Sequence, residues 1–175
     1  MKNIIVICTC LAAALLIAAE PATKPAPFAS KAGRFTIEMP GEPKEQINKI
    51  DTALGPIDLH LFVFSPDPNI VYIASYADYP EDVIKKSDSE KMLNGARDGA
   101  VKNINGKLDR EKKITVDKHP GRDISIVADQ AMARVRMYLV DARLYQVILV
   151  STSKESVTSK DAEKFLDSFK LADKR

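Results

Sequence analysis

The sequence predicts an α+β fold, a mainly antiparallel β-sheet flanked by helices. Three observations carry this. Apolar and polar residues alternate with a period of two through most of residues 34–151. The alternating segments are joined by short turn clusters rather than long crossovers, which favours antiparallel neighbours. Two stretches switch to helical spacing, and one strand is apolar on both sides, so helices are expected on both sheet faces.

The domain opens at Arg34–Met39, where Phe35, Ile37 and Met39 share one face before Pro40-Gly41-Glu42-Pro43 breaks the strand. A second short strand is expected over Glu45–Ile50, with a turn at Gly55-Pro56. In Ile57–Phe64, one face carries Ile57, Leu59, Leu61 and Val63, and the other Asp58, His60, Phe62 and Phe64. The cluster Pro66-Asp67-Pro68-Asn69 joins that strand in a hairpin to Ile70–Ala77. Ser87 with Glu90 three residues on is a capping-box pattern, and Met92, Leu93, Ala96, Ala100 and Ile104 follow as one apolar stripe. A helix is therefore predicted over Asp88–Asn103, ended by Asn105-Gly106. Strands follow at Lys107–Val116 and Arg122–Ala128, with a turn at Asp117-Lys118-His119-Pro120-Gly121. Ala131–Val140 and Arg143–Ser151 form the next hairpin, turning at Asp141-Ala142. Leu144–Val150 is apolar on both faces except for Gln146, the pattern of a central strand. The closing helix is expected over Ser159–Phe169, with Thr158 or Ser159 as cap and Ala162, Phe165, Leu166 and Phe169 on its buried side.

At 175 residues the chain is the size of one domain, long enough to bury a core without a metal or disulfide. Its first residues form a secretory signal pattern. Lys2 supplies the positive start, Ile4–Ala19 the apolar run, and Glu20-Pro21 the polar stop. Cleavage is expected after Ala19, giving residues 1–19 as signal, 20–28 as a Pro/Ala-rich linker and 29–175 as the domain. A retained anchor is the alternative, but sixteen residues at ~1.5 Å each reach about 24 Å against a bilayer core of ~30 Å. A lipoprotein signal is a third, poorly matched by Cys8 and Cys10 because Thr9 precedes Cys10. Those are the only two cysteines, so the mature domain has no thiol for a nucleophile, redox pair or zinc site. Without Lys2 the chain carries 25 basic and 24 acidic residues, a formal +1. That balance argues against a nucleic-acid binder. Export implies a periplasmic or extracellular location, with no stable membrane span once the signal is gone.

The segment Phe35-Thr36-Ile37-Glu38-Met39-Pro40-Gly41-Glu42-Pro43 resembles the opening strand and turn of small exported bacterial domains with the PsbP-like fold. That fold is shared with the extrinsic PsbP subunit of photosystem II and a eukaryotic Ran-binding factor. Gly106-Lys107-Leu108, His119-Pro120-Gly121-Arg122, the hairpin Leu139–Tyr145 and the closing Ala162–Phe169 fit the same pattern in order. The resemblance spans about Phe28–Leu171 and rests on turn and core residues. It implies an α/β/α sandwich whose known members mostly bind other proteins. No catalytic residue carries over from it.

Five residues are candidates for contact with a partner. Arg134 and Arg136 project from one strand face beside Tyr138, an arginine–aromatic grouping favoured at interfaces. His119 and Arg122 flank the Pro120-Gly121 turn, with Arg122 placed to hold an anion. The expected role is an exported accessory or binding domain acting on a protein or cell-envelope component. One alternative is a small hydrolase using His60 or His119 with carboxylates, including an Asp58/His60 pair. Another is a small-ligand carrier. No cofactor, metal or catalytic residue is assigned. P-loop, GxSxG, HExxH and Rossmann fingerprints are absent from the sequence, and the acids Asp78, Glu81 and Asp82 lack the spacing of an EF-hand loop.

Overall fold

The computed structural model describes residues 27–52, 55–80, 84 and 87–172. The predicted signal, most of the linker, and Glu81 and Asp82 lie outside them. Seven strands form one antiparallel sheet: β3 (Lys44–Thr52), β4 (Gly55–Asp67), β5 (Ile70–Asp78), β6 (Lys107–Val116), β7 (His119–Val127), β8 (Met132–Val140) and β9 (Arg143–Ser151). Their spatial order is β3-β4-β5-β9-β8-β7-β6, so β9 is central, as its two apolar faces require. A small sheet of β1 (Phe28–Ser30), β2 (Phe35–Ile37) and β10 (Lys170–Leu171) lies apart from the large one. Three helices lie wholly among the described residues, α1 (Ser89–Asn103), α2 (Lys154–Thr158) and α3 (Lys160–Asp167).

Alternation along the strands sorts the core into two clusters. One joins Leu93 of α1 to Ile124, Ile126, Ala133, Val135 and Met137, with Met92, Ala96 and Ala100 at its rim. The other joins Phe62, Tyr76, Tyr138, Tyr145 and Val147 to Phe35 and Ile37 of β2 and to Ala162, Phe165 and Leu166 of α3. Helix α1 thus covers one face over β7 and β8, while α2, α3 and the small sheet cover the other. Helix α1 ends in a Schellman motif. Asn105 takes φ 49°, its N–H donates to Lys102 O, and the Gly106 N–H donates to Val101 O at 3.1 Å. Two hairpin turns likewise place an aspartate in the left-handed region, Asp117 at φ 50° and Asp141 at φ 53°.

Several boundaries differ from the sequence expectation. Asp88, not Ser87, caps α1, its carboxylate accepting from Glu90 N at 3.1 Å. The closing helix is two pieces, because Ser153 caps the short α2 and Ser159 breaks the chain to cap α3, accepting from Ala162 N. Gly55 opens β4 rather than sitting in a turn. Asp117-Lys118 alone make the β6–β7 turn, so His119 lies in a strand, paired with Val116. Phe28, expected in the linker from its proline-rich surroundings, belongs to β1. Its ring lies 4.9 Å from Phe62 and 6.2 Å from Phe35.

Candidate functional site

The strand pair β7–β8 places charge under α3. Asp123, Arg134 and Arg136 all face the helix, since Asp123 pairs with Arg136 and Ser125 with Arg134 in the ladder. Successive same-face strand residues are about 6.6–6.8 Å apart, and residues four apart on a helix rise about 6 Å. Glu163 and Asp167, four apart on the flank of α3, therefore match the spacing of Arg134 and Arg136. Glu163 Oε1 accepts from Arg134 at 2.8 Å, and its Oε2 accepts from Arg136 at 3.1 Å. Asp167 accepts from the remaining amino group of Arg136. Asp123 accepts from Arg134 at 3.3 Å, Arg136 at 3.2 Å and Arg110 of β6 at 3.2 Å. Three guanidiniums and three carboxylates thus form a neutral cluster.

This arrangement corrects the expectation of an exposed basic–aromatic patch. The side chain of Arg134 is 7% exposed and that of Arg136 14%, whereas Glu163 and Asp167 above them are 45% and 65% exposed. Alternation puts the arginines on one face correctly, but α3 covers that face. Tyr138 is buried too, its ring stacked 5.4 Å from Phe169, and burial pushes its phenol pKa up. A molecule docking here meets the carboxylates first.

Arg122 is also buried, on the opposite face of β7. It does hold anions, but they belong to the chain. It donates to Glu111 of β6 at 3.0 Å and to Glu90 of α1, which also takes Lys113 at 3.1 Å. The adjacent pair Arg122-Asp123 therefore anchors both helical layers, one residue to each face. His119 is half-buried at the start of β7, opposite Val116 of β6.

His60 stacks on Tyr76 with ring centroids 4.4 Å apart and planes at 5°. Its nearest acid is Glu45 of β3 at 3.9 Å, not the Asp58 that shares its strand. Beyond Tyr76 lies Arg143, whose guanidinium is 4.3 Å from the ring and donates twice to Asp78 at 2.6 Å. Those hydrogen bonds hold the Asp78 carboxyl below its ordinary range, outweighing desolvation, and raise the Arg143 pKa. Arg143 also donates to Ala32 O and Tyr145 to Gly33 O, both at 2.8 Å, clamping the β1–β2 turn to the sheet. No pattern in the sequence points to this clamp, because Asp78 groups there with the loop acids that follow it.

Between β2 and α3 lies an open groove of about 680 Å3. Its lining includes Lys160, Lys164 and Lys170 with Glu38, Glu163 and Asp167, so both signs of charge alternate around it. Among the described residues, no group of three His, Cys, Asp or Glu side chains is placed to hold a metal, and no helix is long and apolar enough to cross a membrane. No protein-family model matches the chain, and no curated protein matches it.

Proposed function

We propose that the chain is an exported accessory domain of the PsbP-like kind, an α/β/α sandwich that binds a protein of the cell envelope rather than transforming a substrate. The observation that carries this is the groove between β2 and α3. It is open, and its floor is fixed by the ion-pair cluster beneath α3. Arg134 and Arg136 hold Glu163 and Asp167 in place from below, while Lys160, Lys164 and Lys170 stand around them. A rigid surface of mixed charge suits a polypeptide segment carrying both signs. It encloses a small ligand poorly, because compact ligands are usually held in mostly apolar, enclosing pockets.

The test is crosslinking of the tagged full chain in its native cell, repeated with Lys160→Glu/Lys164→Glu. Both lysines stand on the outer side of α3, and Lys164 is 61% exposed. The captured protein, purified, is then titrated against both forms by calorimetry. At least tenfold weaker binding by the double variant is expected, equal to about 1.4 kcal/mol. A partner bound equally by both forms, or turnover of a substrate with no partner found, overturns the reading.

A further inference from the structure

The two edges of the large sheet are built differently. The β6 edge is interrupted by a register shift between Leu108 and Arg110 and carries Lys107, Lys112 and Lys113. Bulges and lysines of this kind keep a strand edge from pairing with another chain. The β3 edge carries lysines too, Lys44 and Lys49, but it has neither a shift nor a proline. It pairs with β4 without interruption from Lys44↔Val63 to Thr52↔Gly55. Lys44 through Lys49 are exposed, and Ile47 at their centre is 58% exposed, the most exposed large apolar side chain described.

We infer that β3 pairs with β3 of a second copy of this chain, antiparallel, about a two-fold axis at Ile47. The sequence of the strand is self-complementary in that register. Ile47 meets Ile47 of the other copy, and Glu45 meets Lys49 twice by symmetry. Gln46 meets Asn48, and Lys44 meets Ile50. Directly opposite residues of an antiparallel pair share a face, so the apolar contact and both ion pairs fall on the same side of the joined sheet. Shifting the register by one residue sets Ile47 against Asn48 or Gln46, and by two sets it against Lys49 or Glu45; each shift loses the apolar pair. Two seven-stranded sheets become one of fourteen strands, and the backbone edge of β3, which no other strand among the described residues pairs, is satisfied by the other copy. The groove beneath α3 lies on a different part of the molecule, so this association is separate from partner binding there.

The experiment is sedimentation equilibrium of the purified full chain carrying Cys8→Ser and Cys10→Ser. The expected species is a dimer. Glu45→Lys sets a second lysine against Lys49 at both ends, and should weaken the dimer about tenfold or more. Glu45→Lys/Lys49→Glu restores opposite charges and should return affinity to within about threefold of the parent. Ile47→Cys, then the only cysteine present, should give a disulfide-linked dimer on mild oxidation. A parent chain that stays monomeric at millimolar concentration overturns the inference. So does a dimer indifferent to Glu45→Lys, one not recovered by the double exchange, or an Ile47→Cys chain that does not crosslink.

Discussion

Replacing Asp123 by asparagine removes one charge from the centre of the cluster beneath α3 without changing its size. Three guanidiniums point at that carboxylate, and two belong to side chains 7% and 14% exposed. After the change Arg136 keeps Glu163 and Asp167, and Arg110, 49% exposed, can turn to water. Arg134 keeps only one carboxylate, Glu163, and its Nε already meets no acceptor among the described residues. The cluster goes from neutral to a net positive charge in a poorly solvated place. Breaking one member out of a buried ion-pair group costs about 3–5 kcal/mol. Taking ~3 kcal/mol, and a shift of about 2–4 °C per kcal/mol for a domain of this size, the midpoint should fall by roughly 6–12 °C. The outer carboxylate provides the contrast. Glu163→Gln touches the same two arginines but at a 45% exposed position, so it should cost only about 1 kcal/mol. Urea and thermal unfolding followed by circular dichroism measure both. Adding Arg134→Met to Asp123→Asn removes the stranded cation and should recover part of the loss, a positive coupling in a double-mutant cycle. If Asp123→Asn cost no more than Glu163→Gln, the burial argument would be wrong.

Two further changes probe the sheet and the clamp. Gly121→Ala drives a Cβ into the Met137 carbonyl oxygen and to 2.6 Å from Tyr138 Cδ1, inside the β7–β8 pair; urea denaturation should show a loss of about 2 kcal/mol, and a neutral result would mean the strands part easily there. The Asp78 carboxyl is held below its ordinary value of 3.8 by Arg143, so it binds its proton less readily folded than unfolded. Its stabilising effect is therefore complete above that value and is lost as pH falls through the lower folded pKa. Asp78→Asn should flatten the acid side of the stability profile below about pH 4 and leave the slope near neutrality unchanged, as read by midpoint temperature across pH.

The elements visible in the sequence are those whose pattern repeats. Leu144–Val150 is apolar on both sides, which puts β9 at the centre, and it sits between β5 and β8. The stripe from Met92 to Ile104 defines α1 to within a residue of its observed ends. The elements the pattern misses are short. β1 has three residues, β10 two and α2 five, too few for a period to show. They are held by Val157 within the larger core cluster and by Phe28 and Leu171 packed against it, which is tertiary information. His119-Pro120-Gly121 looks like a turn from composition. Pro120 lies just before Gly121, the first β7 residue paired with β8, where its missing N–H costs the sheet little on that side.

The candidate site is half visible for a related reason. Alternation assigns Arg134, Arg136 and Tyr138 to one face, and the structure keeps them together. Inferring exposure from charge fails wherever a charged strand face lies under a helix bearing opposite charges. The signal is present in two separate places: arginines two apart on a strand, and acids four apart on the flank of an amphipathic helix. Those spacings agree to within about 1 Å. Each looks like ordinary surface alone, and only the return of α3 over β8 brings them into register. The β3 edge differs from this covered face. Its charged side chains Glu45 and Lys49 are exposed rather than covered by a helix. They sit two residues either side of an exposed isoleucine, and the arrangement that satisfies all three is another copy of the same strand.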